Sequence, residues 1–374
     1  MPEVVQHYTR AQALCDQLGD SPQRGLVLLG LIGVYMMRGE LRTSQALAEE
    51  CLQLVEQTNE SRLLTEAHVL VGNNCLFRGE FVRVRASLEQ AVAHYQPQHQ
   101  TPIIDNPKVM SLDYRVLALW SLGYPEQALR RSHEALCLAQ ELGHPYGLVF
   151  TLIFAVMVHL WRRDGRVAQE HADAMVALSS EHGFSRRVAE GTVLRSEALI
   201  AQGQWAEGVA QVRQGLEENK AELRRTYHLA WLAEGYRGAG QLEEGLAVVE
   251  EALRLVDKND ERFYEAELYR IKGELTLQKF QVPGSKFQAA DPRSLTPDPQ
   301  AEAEECFLKA IAIAQKQQAK SLELRATMSL ARLWQSQGKT AEARQILTDI
   351  YSWFTEGFDT KDLQETKALL EKLA

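Results

Sequence analysis

At 374 residues with a formal net charge of −9, the chain lacks the excess of Lys and Arg with which non-specific nucleic-acid binders neutralise phosphates. Its most apolar run, 148–160, contains His159 and stops at Arg162-Arg163, short of the roughly 20 residues a membrane span needs. The five cysteines are isolated, with no C-x-x-C pair, so neither a disulfide framework nor a zinc cluster is indicated. No partner of nucleic-acid or membrane type is therefore expected. The start, MPEVVQHYTR, has no basic-then-apolar leader pattern, which makes the cytoplasm the expected location.

In chain order, residues 3–18 (EVVQHYTRAQALCDQL) read as the second helix of a pair. End repeats need a polar capping face, so the chain is expected to be the later part of a longer array or to pack on another domain. The next helix opens at Ser21-Pro22, a capping residue followed by one suited to the first helical position. Helix pairs then run through about Thr58 and Tyr95 to a break at 96–107, whose three prolines exclude a continuous helix. Further pairs follow with short connections up to a second break at 281–299. Without that break Tyr269–Phe280 would join Ala301–Ala314 in the register of the other pairs. It is read as a surface insertion within the seventh hairpin. A last hairpin (Leu322–Phe354) and a closing helix (Leu363–Leu373) complete the chain.

One spacing recurs throughout. Turn glycines are expected at Gly39, Gly79, Gly123, Gly165, Gly203, Gly240 and Gly338, the first six about 37 to 44 residues apart. A modest residue stands seven positions earlier (Gly72, Val116, Val158, Ser196, Ala233, Ala331). A ring often stands four earlier (Tyr35, Trp161, Tyr236, Trp334), and a small residue twelve later (Cys51, Ala91, Ala135, Ala177, Gly215, Ala252). The clearest copy is Leu229–Leu255, LAWLAEGYRGAGQLEEGLAVVEEALRL. Small positions let neighbouring hairpins approach and the ring wedges between paired helices, which is the tetratricopeptide (TPR) pattern. The expected fold is all-α: one right-handed superhelical TPR-like solenoid of antiparallel helix hairpins over 1–374, with about eight hairpins, the first incomplete.

Three further stretches carry a family resemblance: Glu267–Leu275 (ELYRIKGEL), Lys320–Leu347 (KSLELRATMSLARLWQSQGKTAEARQIL) and Tyr351–Leu370 (YSWFTEGFDTKDLQETKALL). They resemble the C-terminal TPR region of bacterial signalling proteins that join an adenylate/guanylate cyclase or another input domain to a STAND-type ATPase. Ala118–Leu136 (ALWSLGYPEQALRRSHEAL) is similar to repeats from the middle of such arrays. The resemblance implies a non-enzymatic sensor or scaffold whose partners include upstream cyclase or ATPase domains. A related reading is the ligand-sensing arm of a maltose-regulator-type transcription activator.

No cofactor motif is complete. Gly338-Lys339-Thr340 ends like a P-loop, but Leu333 stands where the first glycine belongs. In a TPR superhelix the first helices line the concave groove. Counting from the turn glycines gives candidate groove residues Asn73, Asp113, Tyr114, Trp120, His159, Arg162, Glu197, Tyr227, Trp231, Glu234, Arg237, Arg270 and Glu274. Rings beside arginines and carboxylates suit a protein segment or a small effector. Trp231 is the sharpest, since Tyr236 already fills the packing position of its hairpin. Asp113, His159 and Arg162 are the only group that could support an enzyme in the groove.

Overall fold

The computed structural model describes residues 2–18, 21–58, 60–96, 106–218, 222–281 and 298–374. Most of the two proline-rich stretches read at 96–107 and 281–299 lies outside these described residues. Among the described residues there are eighteen helices and no strand. Helix α1 (Pro2–Leu18) precedes the pairs α2 (Ser21–Met37) with α3 (Leu41–Thr58), α4 (Ser61–Phe77) with α5 (Phe81–His94), α6 (Pro107–Ser121) with α7 (Pro125–Leu142), and α8 (Pro145–Trp161) with α9 (Gly165–Glu181). Then follow α10 (Ser185–Ala201) with α11 (Trp205–Glu218), α12 (Arg225–Gly238) with α13 (Leu242–Asn259), α14 (Glu265–Gln281) with α15 (Pro299–Lys316), and α16 (Lys320–Ser336) with α17 (Thr340–Tyr351). Helix α18 (Lys361–Lys372) closes the chain. Each even-numbered helix packs on its odd-numbered partner and on the next even-numbered one. The even helices therefore form an inner layer and the odd helices an outer one.

The turns explain the recurring glycine. At the end of α2, Gly39 N–H donates to the Met36 carbonyl (2.9 Å) and Glu40 N–H to the Tyr35 carbonyl (2.9 Å), a Schellman cap that needs a left-handed residue. Gly39, Gly79, Gly123, Gly203, Gly240 and Gly338 supply it, with φ between 72° and 91°. At Gly123 glycine is required twice over. Beyond its φ of 91°, a methyl there would lie 2.5 Å from the Trp353 ring and 2.9 Å from Lys320 Cβ.

The fourth turn departs from the expected register. Its left-handed residue is Arg163 (φ 62°), not Gly165, which is the first residue of α9. The caps confirm this: Arg163 N–H donates to the Leu160 carbonyl (2.9 Å) and Asp164 N–H to that of His159 (2.8 Å). Everything counted from Gly165 thus shifts by two. The buried position on α9 is Met175, and Ala177 is exposed. His159 becomes the ring between the paired helices, 5.4 Å from His171, and Trp161 moves to the superhelix axis. A left-handed arginine costs about 1–2 kcal/mol. Here its side chain reaches α18, with Nη1 2.7 Å from Glu365.

The superhelix is wound tightly enough that the early turns touch the late ones. Phe77 O accepts from the N–H groups of Arg262 (2.8 Å) and Phe263 (3.1 Å), and Ser321 Oγ donates to the Trp120 carbonyl (2.5 Å). Glu356 accepts from the Glu126 and Gln127 N–H groups at 3.0 and 2.9 Å, and Glu126 accepts from Gly357 N–H at 2.8 Å. Arg78 donates to Asp260 at 3.0 Å. Winding of this pitch leaves little room on the axis, and aromatic rings fill it. Trp161 lies 4.7 Å from Trp120, 5.8 Å from Tyr264 and 6.2 Å from Tyr227. Tyr227 and Phe77 both contact Phe263, at 6.1 and 5.4 Å. These rings form a plug across the interior.

One inner carboxylate is poorly compensated. Glu66 is fully buried, its oxygens have no hydrogen-bond partner among the described residues, and Arg62 Nε is 3.9 Å away. Burial pushes its carboxyl up to about 7 from the ordinary 4.5. Because the folded state holds this proton more tightly, the contribution is intact below about pH 4.5 and is lost as pH rises through 7. Glu66→Gln is expected to gain on the wild type by about 2–3 kcal/mol between pH 5 and pH 8. Urea midpoints at the two pH values measure this, and a difference that does not change with pH contradicts it.

Candidate binding site

On one side of the plug the inner helices enclose an open basin of about 310 Å³. Its floor is a ladder of alternating charge. Arg237 Nε donates to Glu234 (2.7 Å), and Arg270 Nη2 donates to both Glu234 (2.5 Å) and Glu267 (2.9 Å). Arg325 joins Glu267 (3.1 Å) to Asp362 (2.9 Å). Arg163 joins Asp362 (3.4 Å) to Glu365 (2.7 Å), and Arg332 completes the row on Glu365 at 3.0 Å. The row crosses α12, α14, α16 and α18. Ser329 Oγ donates to Glu274 at 2.6 Å beside it.

The electrostatics follow from this pairing. Burial opposes the charge on Glu234, but Arg237 and Arg270 outweigh it and hold the carboxyl down at about 2. Burial likewise opposes the Arg270 charge, and Glu267 and Glu234 raise its pKa well above the usual value. Each buried charge is thus matched, which low-dielectric surroundings require. The exposed end groups, such as Arg332 at 49% and Glu365 at 39% of side-chain area, stay available to solvent or ligand. Trp231, half-buried, adds an apolar surface to the wall.

The thirteen residues expected to face the groove fall in different settings. Trp231, Glu234, Arg237, Arg270 and Glu274 come together in the basin. Asn73 and Tyr114 line a second pocket beyond the plug, with Asn73 Nδ2 donating to the Tyr114 hydroxyl at 2.8 Å. Trp120 and Tyr227 belong to the plug and are buried, not open to a groove. Asp113 and Glu197 are also interior: Thr151 donates to Asp113 (3.1 Å), and Glu197 meets His228 Nδ1 (2.5 Å). His159 is buried by the shift of register, and Arg162 turns to Asp359 at 2.8 Å. The tight winding closes the groove where an open superhelix would expose Trp120, Glu197 and Tyr227. It also places Asp113, His159 and Arg162 in three separate environments.

Sequence reasoning missed Arg163, Glu267, Arg325, Arg332, Asp362 and Glu365. A signal for three of them was present: Glu267 precedes the expected Arg270 and Glu274 at i, i+3 and i+7 on α14, and Arg325 with Arg332 repeats at i and i+7 on α16, each set on one helix face. Among the described residues no group of three or more His, Cys, Asp or Glu could hold a metal ion. Likewise, no described helix is long and apolar enough to cross a membrane.

Fold and basin together define a TPR-like helical-repeat solenoid with a polar internal basin. The tetratricopeptide-repeat family pattern matches residues 226–251 and 324–347, the pairs headed by α12 and α16. The structure is similar to that of a Rap protein complexed with competence and sporulation factor, at 11% identity over 94% of this chain and 97% of that one, with a TM-score of 0.56. It is also similar to the Rap conjugation gene regulator of plasmid pLS20 in complex with the Phr* peptide (10% identity, 92% and 94% covered, TM-score 0.54). A third similar structure is NprR in complex with its cognate peptide NprX (13% identity, 82% of each chain, TM-score 0.52). At these identities the likeness is one of fold. No curated protein matches the sequence.

Proposed function

We propose that the chain is a non-catalytic helical-repeat sensor whose charged basin holds an extended peptide or protein segment. The observation that carries this reading is the half-buried Trp231 beside a continuous ladder of both charges. A polypeptide offers N–H donors, carbonyl acceptors and side chains of either sign, and such a floor can meet all of them. An aromatic wall supplies the anchor that fixes register. Peptide-bound regulators of the same fold support the reading. The resemblance to cyclase–STAND arrays supplies its context: a segment lying across α12 to α18 would bridge helices that the closed superhelix already brings together, so occupancy and closure would be coupled. Upstream cyclase or ATPase domains are the partners this would regulate.

The test is selection of binders from a pool of fluorescent hexapeptides, followed by anisotropy titration. Trp231→Ala and Arg237→Ala are each expected to weaken the selected peptides about tenfold or more, with unchanged far-ultraviolet circular dichroism. A selected set that binds both variants as well as the wild type would remove the basin as the site.

A further inference from the structure

Beyond the plug lies the second pocket, with about 230 Å³ of free volume, the room of about seven or eight waters at about 30 Å³ each. Its apolar wall includes Met36, Met37, Met110 and Phe150, unbranched or flat side chains that adapt to a guest. Three guanidiniums stand against that wall: Arg186, Arg187 and Arg224. Arg187 and Arg224 share one carboxylate, that of Glu190. Arg187 Nη1 donates to its Oε2 at 2.6 Å, and Arg224 holds its Oε1. Arg187 also donates to the Tyr146 hydroxyl at 2.8 Å and lies over the Phe150 ring, 5.2 Å from its centroid.

The cations outnumber their partners. Among the described residues no carboxylate lies within ion-pair distance of Arg186, whose Nη2 contacts Met37 Sδ at 3.3 Å. The other acid near Arg224 is Glu261, which accepts from the Arg224 N–H and the Thr226 hydroxyl and is pushed up to about 7 by burial. It therefore carries only part of a charge near neutrality. Burial, then Arg187 and Arg186, bring the Arg224 guanidinium down to about 10. Two buried polar atoms of the pocket also have no partner among the described residues: Arg187 Nε, a donor, and Asn73 Oδ1, an acceptor. Buried groups of this kind are normally satisfied. The pocket thus offers an excess of positive charge, one spare N–H, one spare carbonyl and a methionine-rich wall.

We propose that this pocket binds the C-terminal residue of a peptide that ends in an apolar side chain. The carboxylate meets Arg186 and Arg187, where fork-shaped donors suit it. The terminal N–H donates to Asn73 Oδ1, and the side chain lies among Met36, Met37 and Met110. A free fatty acid shares the carboxylate and the apolar body but has no N–H for Asn73. The site stands apart from the charged basin and does not depend on the reading given to it.

The experiment titrates the full chain by calorimetry with N-acetyl-leucine, N-acetyl-leucinamide and octanoate. N-acetyl-leucine is expected to bind, with the amide weaker by about tenfold or more, since it loses charge-assisted bonds. Arg186→Gln, at the exposed mouth, is expected to weaken N-acetyl-leucine about tenfold while leaving the melting temperature and the Trp231-dependent peptide binding unchanged. Met37→Glu places an acid beside Arg186 and is expected to do the same, which guards against a misfolded first variant. Equal binding of acid and amide, no binding of N-acetyl-leucine, or indifference to both substitutions overturns the proposal. Octanoate binding at least as tightly as N-acetyl-leucine overturns it in favour of a fatty acid.

Discussion

Trp161→Ala is expected to destabilise the protein by about 3–5 kcal/mol, the range for truncating a large ring in a packed interior. Trp161 is almost wholly buried and touches three other rings of the plug. Those rings belong to α6, α12 and the residue that precedes α14, so the loss falls on contacts between units far apart in sequence. Trp161→Phe should cost far less, since it keeps most of the ring and removes an indole N–H that has no partner among the described residues. Guanidinium denaturation of the three proteins measures the contrast. An alanine variant within about 0.5 kcal/mol of the wild type, the range usual for surface sites, would mean that the plug does not hold the superhelix closed.

Arg325→Met is expected to cost a comparable amount, about 3–5 kcal/mol, the range for breaking a buried ion pair from one side. Arg325 joins Glu267 on α14 to Asp362 on α18, and its guanidinium lies over the Trp120 ring at 5.6 Å. Asp362, and then Glu267, raise its pKa far above the usual value against the opposing effect of burial. Methionine fills the space but leaves Glu267, almost fully buried, with Arg270 alone, and Asp362 with Arg163. The double variant Arg325→Met with Glu267→Gln should recover part of the loss, because the stranded charge is then gone. A cycle with no recovery would show that Arg325 acts by packing on Trp120 rather than by compensating charge.

Much of the fold is legible in the sequence because its causes are local. A Schellman cap needs a left-handed residue, glycine supplies it, and six of the seven expected turn glycines take that role. Arg163 hides the seventh, since nothing local marks an arginine as left-handed; its reason lies in Asp362 and Glu365, some two hundred residues away. Superhelical pitch is hidden for the same reason. It sums small rotations between neighbouring hairpins, and it decides whether a first-helix residue faces an open basin or a closed axis. Trp231 and Trp120 are both rings on first helices, yet one lines the basin and the other sits in the plug. Arg186, Arg187 and Arg224 were invisible to counting from the turns, because they lie at helix starts. Only closure brings the starts of α10 and α12 against the ends of α2 and α4.

Aromatic rings fill the superhelix axis and separate the basin from the second pocket. A variant that retains Trp161 as its only tryptophan, with Trp120, Trp205, Trp231, Trp334 and Trp353 replaced by phenylalanine, tests it directly by iodide quenching. The filled axis predicts blue-shifted emission with almost no quenching in the native protein, and strong quenching in a companion variant that retains Trp231 alone. Trp161 emission that is red-shifted and quenched as readily as that of Trp231 would mean an open groove and would contradict the account.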